Sequence, residues 1–82
     1  MPKKVLVADD EEFLVELLKD TLTDCGYEVF TAKNGNEALE LIQKNKPDLA
    51  ILDVMMPGID GYDVSYYVSL ETDYKPKIIM LT

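Results

Sequence analysis

Three stretches of this chain are short and apolar almost without interruption: Lys4-Val-Leu-Val-Ala8, Leu49-Ala-Ile-Leu52 and Ile78-Ile-Met-Leu81. A strand with one wet face alternates apolar and polar residues. A strand that does not alternate needs cover on both faces, and a parallel sheet flanked by helices provides it. The run Glu28-Val-Phe-Thr-Ala32 is more mixed and reads as an edge strand.

Between these runs the period changes. Leu14, Leu17, Leu18, Leu22 and Cys25 recur at three- and four-residue spacing, which predicts a helix over Glu11 to Cys25 with Gly26 as its stop. Asp9 and Glu12 stand at the spacing of a capping box, with Asp where Ser or Thr is usual. Ala38, Leu39, Leu41 and Ile42 mark a second helix over Asn36 to Asn45, which Pro47 bars from continuing. A third is expected from about Gly61 to about Leu70, burying Val64, Tyr67 and Val68. Tyr66 and Tyr67 lie about 100° apart on that helix, so at least one is expected in the core.

The order β-α-β-α-β-α-β predicts a parallel α/β sheet in a single small domain of 82 residues. Crossovers in such sheets are right-handed. If the second strand lies on one side of the first and the third on the other, the first helix covers one face and the other two helices the opposite face. A topological switch point then falls between strands 1 and 3, and open α/β sheets hold ligands there, at the carboxyl ends of the strands.

That edge receives the acids. In LAILDVMMPGIDG the apolar run ends on Asp53, and strand 1 ends on Asp9 and Asp10. Taken singly, Asp9 and Asp10 read as helix caps or part of a solvated acidic face, and Asp53 as an exposed strand-end acid. Gly58 and Gly61 read as ordinary turn residues. Converging on one crevice, three carboxylates need a counter-charge, because like charges a few ångströms apart do not all stay ionised unaided. The chain has no histidine, and no lysine lies close by in these loops. Oxygen-only ligands select a hard divalent cation, Mg²⁺, Mn²⁺ or Ca²⁺, over zinc, and one or two carboxylates with several waters retained are typical of Mg²⁺ in phosphoryl chemistry. A net charge of −8 argues against nucleic acid as a direct partner. The single Cys25 has no partner for an internal disulfide and no histidine to activate it. No apolar run is long enough to span a membrane and no signal-peptide pattern appears, so a cytoplasmic location is expected.

Together, ADDEE after strand 1, LAILDVMMPGIDG through strand 3 and IIMLT at strand 4 resemble the receiver domain of bacterial two-component response regulators. The resemblance implies a flavodoxin-like doubly wound sheet of order 2-1-3-4. It implies that Asp53 is the phosphoacceptor, taking its phosphoryl group from a sensor histidine kinase in a signalling domain rather than a turnover enzyme. Asp10, Asp53 and the backbone carbonyl of Met55 would ligate Mg²⁺, with Asp9 acting through water, and Thr82 would hydrogen-bond the phosphoryl group as the switch. The family continues past strand 4 with a helix, a strand and a last helix, so residues 1–82 are expected to be a partial receiver. Its fourth strand would then lack an outer neighbour, and self-association or a complementary fragment is expected.

Other functions fit less well. A haloacid-dehalogenase-like phosphatase also uses an aspartate after a strand, but needs a second acid where this chain has Met55. An FMN binder needs a hydroxyl- and glycine-rich loop after strand 1, where ADDEE would repel the phosphate. An assembly piece with an idle acid pocket is the remaining alternative.

Overall fold

The computed structural model of the chain describes residues 2–81. Its elements are β1 (Lys4–Ala8), α1 (Glu12–Asp24), β2 (Glu28–Ala32), α2 (Gly35–Asn45), β3 (Leu49–Asp53), α3 (Gly61–Ser69) and β4 (Lys77–Leu81). All strand pairs are parallel, in the order β2-β1-β3-β4. This is the flavodoxin-like doubly wound arrangement, with its switch point between β1 and β3.

The sheet divides the core into two layers. Leu6, Ala8, Ala50 and Leu52 pack with Ala38 and Ile42 of α2 and Val64 and Val68 of α3. Val5 and Val7 face the other way and pack with Val15, Leu18 and Leu22 of α1. The central strand β1 is therefore apolar on both faces, and Val5, Leu6, Val7 and Ala8 are all buried. Full burial of a side chain such as Leu6 or Ile42 contributes about 1.5–3 kcal/mol.

The helix faces differ from the spacing in two places. The inner stripe of α1 is Val15, Leu18 and Leu22, while Leu17 and Cys25 are exposed. On α3, Val64 and Val68 are buried but Tyr66 and Tyr67 both lie outside, packed edge to face with ring centroids 5.9 Å apart. Val64 and Val68 already fill the inner face of this nine-residue helix, and two small residues let it sit closer to the sheet than a tyrosine would.

Capping also departs from the sequence reading. The N-cap of α1 is Glu11, with no side-chain cap, so the Asp9–Glu12 spacing forms no capping box. True caps start the other two helices. Asn34 accepts from Glu37 N–H at 2.8 Å, and Asp60 and Asp63 form a reciprocal box across the first turn of α3. At the far end of α1, Gly26 takes φ 96°, and Gly26 N–H and Tyr27 N–H donate to Thr23 and Leu22 carbonyls in a Schellman stop. Lys46 ends α2 in the left-handed region at φ 48°, and Pro47 follows.

Candidate functional site

Parallel strands end in register, and that register aligns the acids. Ala8 at the end of β1 is paired with Ala32 of β2 and Leu52 of β3, so the residues that follow Ala8 and Leu52 emerge side by side. Asp53 is the last residue of β3, paired with Leu81 of β4. One carboxylate oxygen from each of Asp9, Asp10 and Asp53 lies within 4.8 Å of the other two.

The three differ in setting. Asp9 is buried at 6% exposure; its N–H donates to Ala32 and its Oδ1 accepts from Glu11 N–H at 3.0 Å. Its carboxylate thus closes a turn onto Glu11, the N-cap residue, and does not cap the first turn of α1. Asp10 is exposed, and Asp53 is half-buried with its Oδ1 accepting from Met55 N–H at 3.2 Å. Among the described residues the one ion pair is Lys46–Glu71, so no lysine partners these acids. Three clustered oxygen donors without a cationic side chain are a donor set for a hard divalent cation with several waters retained.

The loop after β3 forms a wall beside them. Asp10, residues 54–58, Asp60 and Tyr62 line an open cleft of about 610 Å³. Met55 points its side chain into solvent, while Met56 is buried in the α2–α3 core and anchors the loop from below. Pro57 is followed by Gly58 at φ 79°, which suits the second central position of a turn. Gly61 N–H donates to Val54 carbonyl at 3.1 Å and closes the loop.

Asp9, Asp10 and Asp53 are thus brought together as the spacing implied, and Met55 stands beside them in the cleft wall. Thr82 lies outside the described residues. Gly61 is more than an ordinary turn residue: it is buried, and a Cβ there would overlap the Asp53 carbonyl and lie 2.8 Å from Met80 Cε. Gly35, at the start of α2, is equally confined by Ile59. Neither approach has a local signal. Only Asn34 just before Gly35 and the Asp60-x-x-Asp63 spacing mark helix starts in the sequence.

Comparison with known proteins agrees with this geometry. A family model described as the response regulator receiver domain matches residues 5–82. The alkaline phosphatase synthesis transcriptional regulatory protein PhoP of Bacillus subtilis is 48% identical over 82 residues, covering 100% of this chain and 34% of its own length. The chain spans about a third of the length of the curated relatives it matches. Among solved structures, the chemotaxis response regulator CheY4 of Vibrio cholerae superposes with a TM-score of 0.92 at 40% identity, covering 98% of this chain and 68% of that one. The Francisella response regulator 1452 receiver domain gives 0.87 at 32% identity, covering 95% and 64%.

Proposed function

The chain belongs to the response regulator receiver domain family, and on that premise we propose that it accepts a phosphoryl group on Asp53 from a sensor histidine kinase, assisted by Mg²⁺. The observation that carries the reading is the carboxylate cluster at the switch point, with oxygens within 4.8 Å of one another and no lysine ion-paired to it among the described residues. In the proposed step an Asp53 carboxylate oxygen attacks phosphorus in line. The new P–O bond forms as the P–N bond to the kinase imidazole breaks, and the nitrogen leaves with the electron pair. Asp53 is consumed at each transfer, so the domain acts as a signalling acceptor and not as a turnover enzyme.

The chain's own groups do three things here. Asp10, Asp53 and the Met55 carbonyl would hold the cation, and Asp9 would reach it through water. The Met55 N–H bond to Asp53 Oδ1 fixes the carboxylate rotamer, leaving the other oxygen free to attack. Thr82, next in sequence after Leu81, would donate its hydroxyl to a phosphoryl oxygen. When bound, Mg²⁺ neutralises the charge that would otherwise repel the phosphoryl group from the carboxylate. No helix among the described residues is long and apolar enough to cross a membrane, and the proposed reaction belongs in the cytoplasm with the kinase's catalytic parts.

Incubation with Mg²⁺ and acetyl phosphate, read by intact mass, tests the proposal. A gain of one phosphoryl group that is lost in Asp53→Asn and in excess EDTA is expected. An unmodified, folded protein would refute it. A second reading, assembly through β4 with the acids idle, is favoured by Ile79, which is 48% exposed on a strand paired only with β3 among the described residues.

A further inference from the structure

The loop from Val54 to Asp60 carries the backbone proposed to meet the cation, and its position is fixed by neighbours distant in sequence. Met56 is sunk in the α2–α3 core, and Ile59 packs against the same cluster. The first residue of α2, Gly35, is buried directly against Ile59. A Cβ on Gly35 would lie 2.5 Å from Ile59 Cγ1 and 2.8 Å from its carbonyl carbon, and would overlap the carbonyl oxygen. The next helical residue continues the contact: Asn36 Nδ2 would be 3.2 Å from a Cβ placed on Gly58. The first turn of α2 is thus a seat for residues 58 and 59: the Gly35 main chain lies against the Ile59 main chain, and the Asn36 side-chain amide lies beside Gly58. Gly35 is negative in φ, so it is needed for this space and not for an unusual conformation.

We infer that Gly35 is a positioning residue for the metal-binding loop: the absence of its side chain sets where the 55–58 backbone stands relative to Asp10 and Asp53. This rests on the reading that the crevice holds Mg²⁺. A side chain at Gly35 cannot be absorbed by a rotamer change, because the atoms it meets include the main chain of Ile59. The loop must shift instead, while the Val54–Gly61 hydrogen bond ties its two ends together. Mg²⁺ demands near-ideal octahedral geometry and is unforgiving of such a shift. Helix propensity alone would favour alanine over glycine within α2, so a loss on Gly35→Ala reports the contact and not the helix.

The test is a titration of the full chain with Mg²⁺, following the backbone amide resonances of Asp53 and Met55, for the native protein, Gly35→Ala, Ile59→Ala and Val68→Ala. Gly35→Ala is expected to displace the Met55 amide resonance before metal is added and to raise the Mg²⁺ Kd about tenfold or more, as supporting residues around metal sites do. Ile59→Ala, which empties the seat without adding bulk, is expected to raise Kd severalfold and carries the test if Gly35→Ala does not fold. Val68→Ala weakens the core beneath α3 but leaves the seat intact, and its Kd is expected within twofold of native. Native-like affinity in both Gly35→Ala and Ile59→Ala, or an equal loss in Val68→Ala, would overturn the inference while leaving the metal reading standing. No saturable response in the native protein would overturn both.

Discussion

Substituting Asp53 with asparagine should stabilise the metal-free protein, and the size of the effect follows from the geometry. Asp53 is more than forty positions from Asp9 and Asp10, so their repulsion exists only in the folded state. At 4.8 Å, the outer limit of the cluster, each like-charge pair costs about 0.9 kcal/mol in bulk water and about 3.5 kcal/mol at an effective dielectric constant of 20. Asp10 is exposed and Asp53 only half-buried, which places the two pairs toward the lower value. Salt near physiological strength screens them further. Asparagine keeps the Oδ1 that accepts from Met55 N–H, so the change removes charge with little loss of contact. A gain of about 1–3 kcal/mol is expected, which at a urea m-value of about 1 kcal/mol/M for a domain of this size moves the midpoint up by about 1–3 M. The assay is urea unfolding followed by circular dichroism with EDTA, then with Mg²⁺. Native protein should gain stability from Mg²⁺ by ligand linkage, and Asp53→Asn should gain much less. Equal midpoints for the two proteins in EDTA would refute the argument, because they would mean that the three carboxylates do not repel in the fold.

Tyr74→Phe removes a phenol that donates to the Pro47 carbonyl beneath Lys46, whose Nζ lies 5.0 Å from the ring centre, and should cost about 1 kcal/mol at neutral pH by thermal unfolding. Burial first, and the Asp48 carboxylate second, push the Tyr74 phenol up to about 12 from 10.0. The unfolded chain therefore releases this proton first, so its contribution is complete below pH 10 and fades as pH rises to about 12. With allowance for its partial exposure the native protein should lose about 1 kcal/mol more than Tyr74→Phe across that window, and parallel curves would contradict this. Asp60→Ala breaks the reciprocal cap on α3 and should lower stability by about 1 kcal/mol, checked by the urea midpoint. Ile79→Lys should leave the fold intact and, if β4 mediates assembly, shift the mass in sedimentation equilibrium toward that of the monomer.

The local patterns of the chain were enough to place the elements. Uninterrupted apolar runs marked the strands, although the edge strand β4 leaves Ile79 exposed, and three- and four-residue spacing cannot sit still in a sheet. All seven elements therefore lie within a residue or two of their expected bounds. The acids at the ends of β1 and β3 were legible for the same reason: once two strands are parallel neighbours, residues just past their carboxyl ends share an edge.

Only the tertiary structure decided how each element turns and how near its neighbours come. Leu17 and Tyr67 fit an apolar stripe as well as Val15 and Val68 do, and the depth of space between helix and sheet selected among them. Asp9 has the sequence setting of a helix cap, yet its carboxylate is buried at the strand ends, where its oxygen accepts from Glu11 N–H. Gly35 and Gly61 look like turn glycines, and their meaning comes from Ile59 and Asp53, atoms that no spacing rule brings near. Periodicity is a property of consecutive residues and survives in the sequence. The close approach of one backbone to another belongs to the packed chain, where a missing Cβ on one element sets the position of a loop on the next.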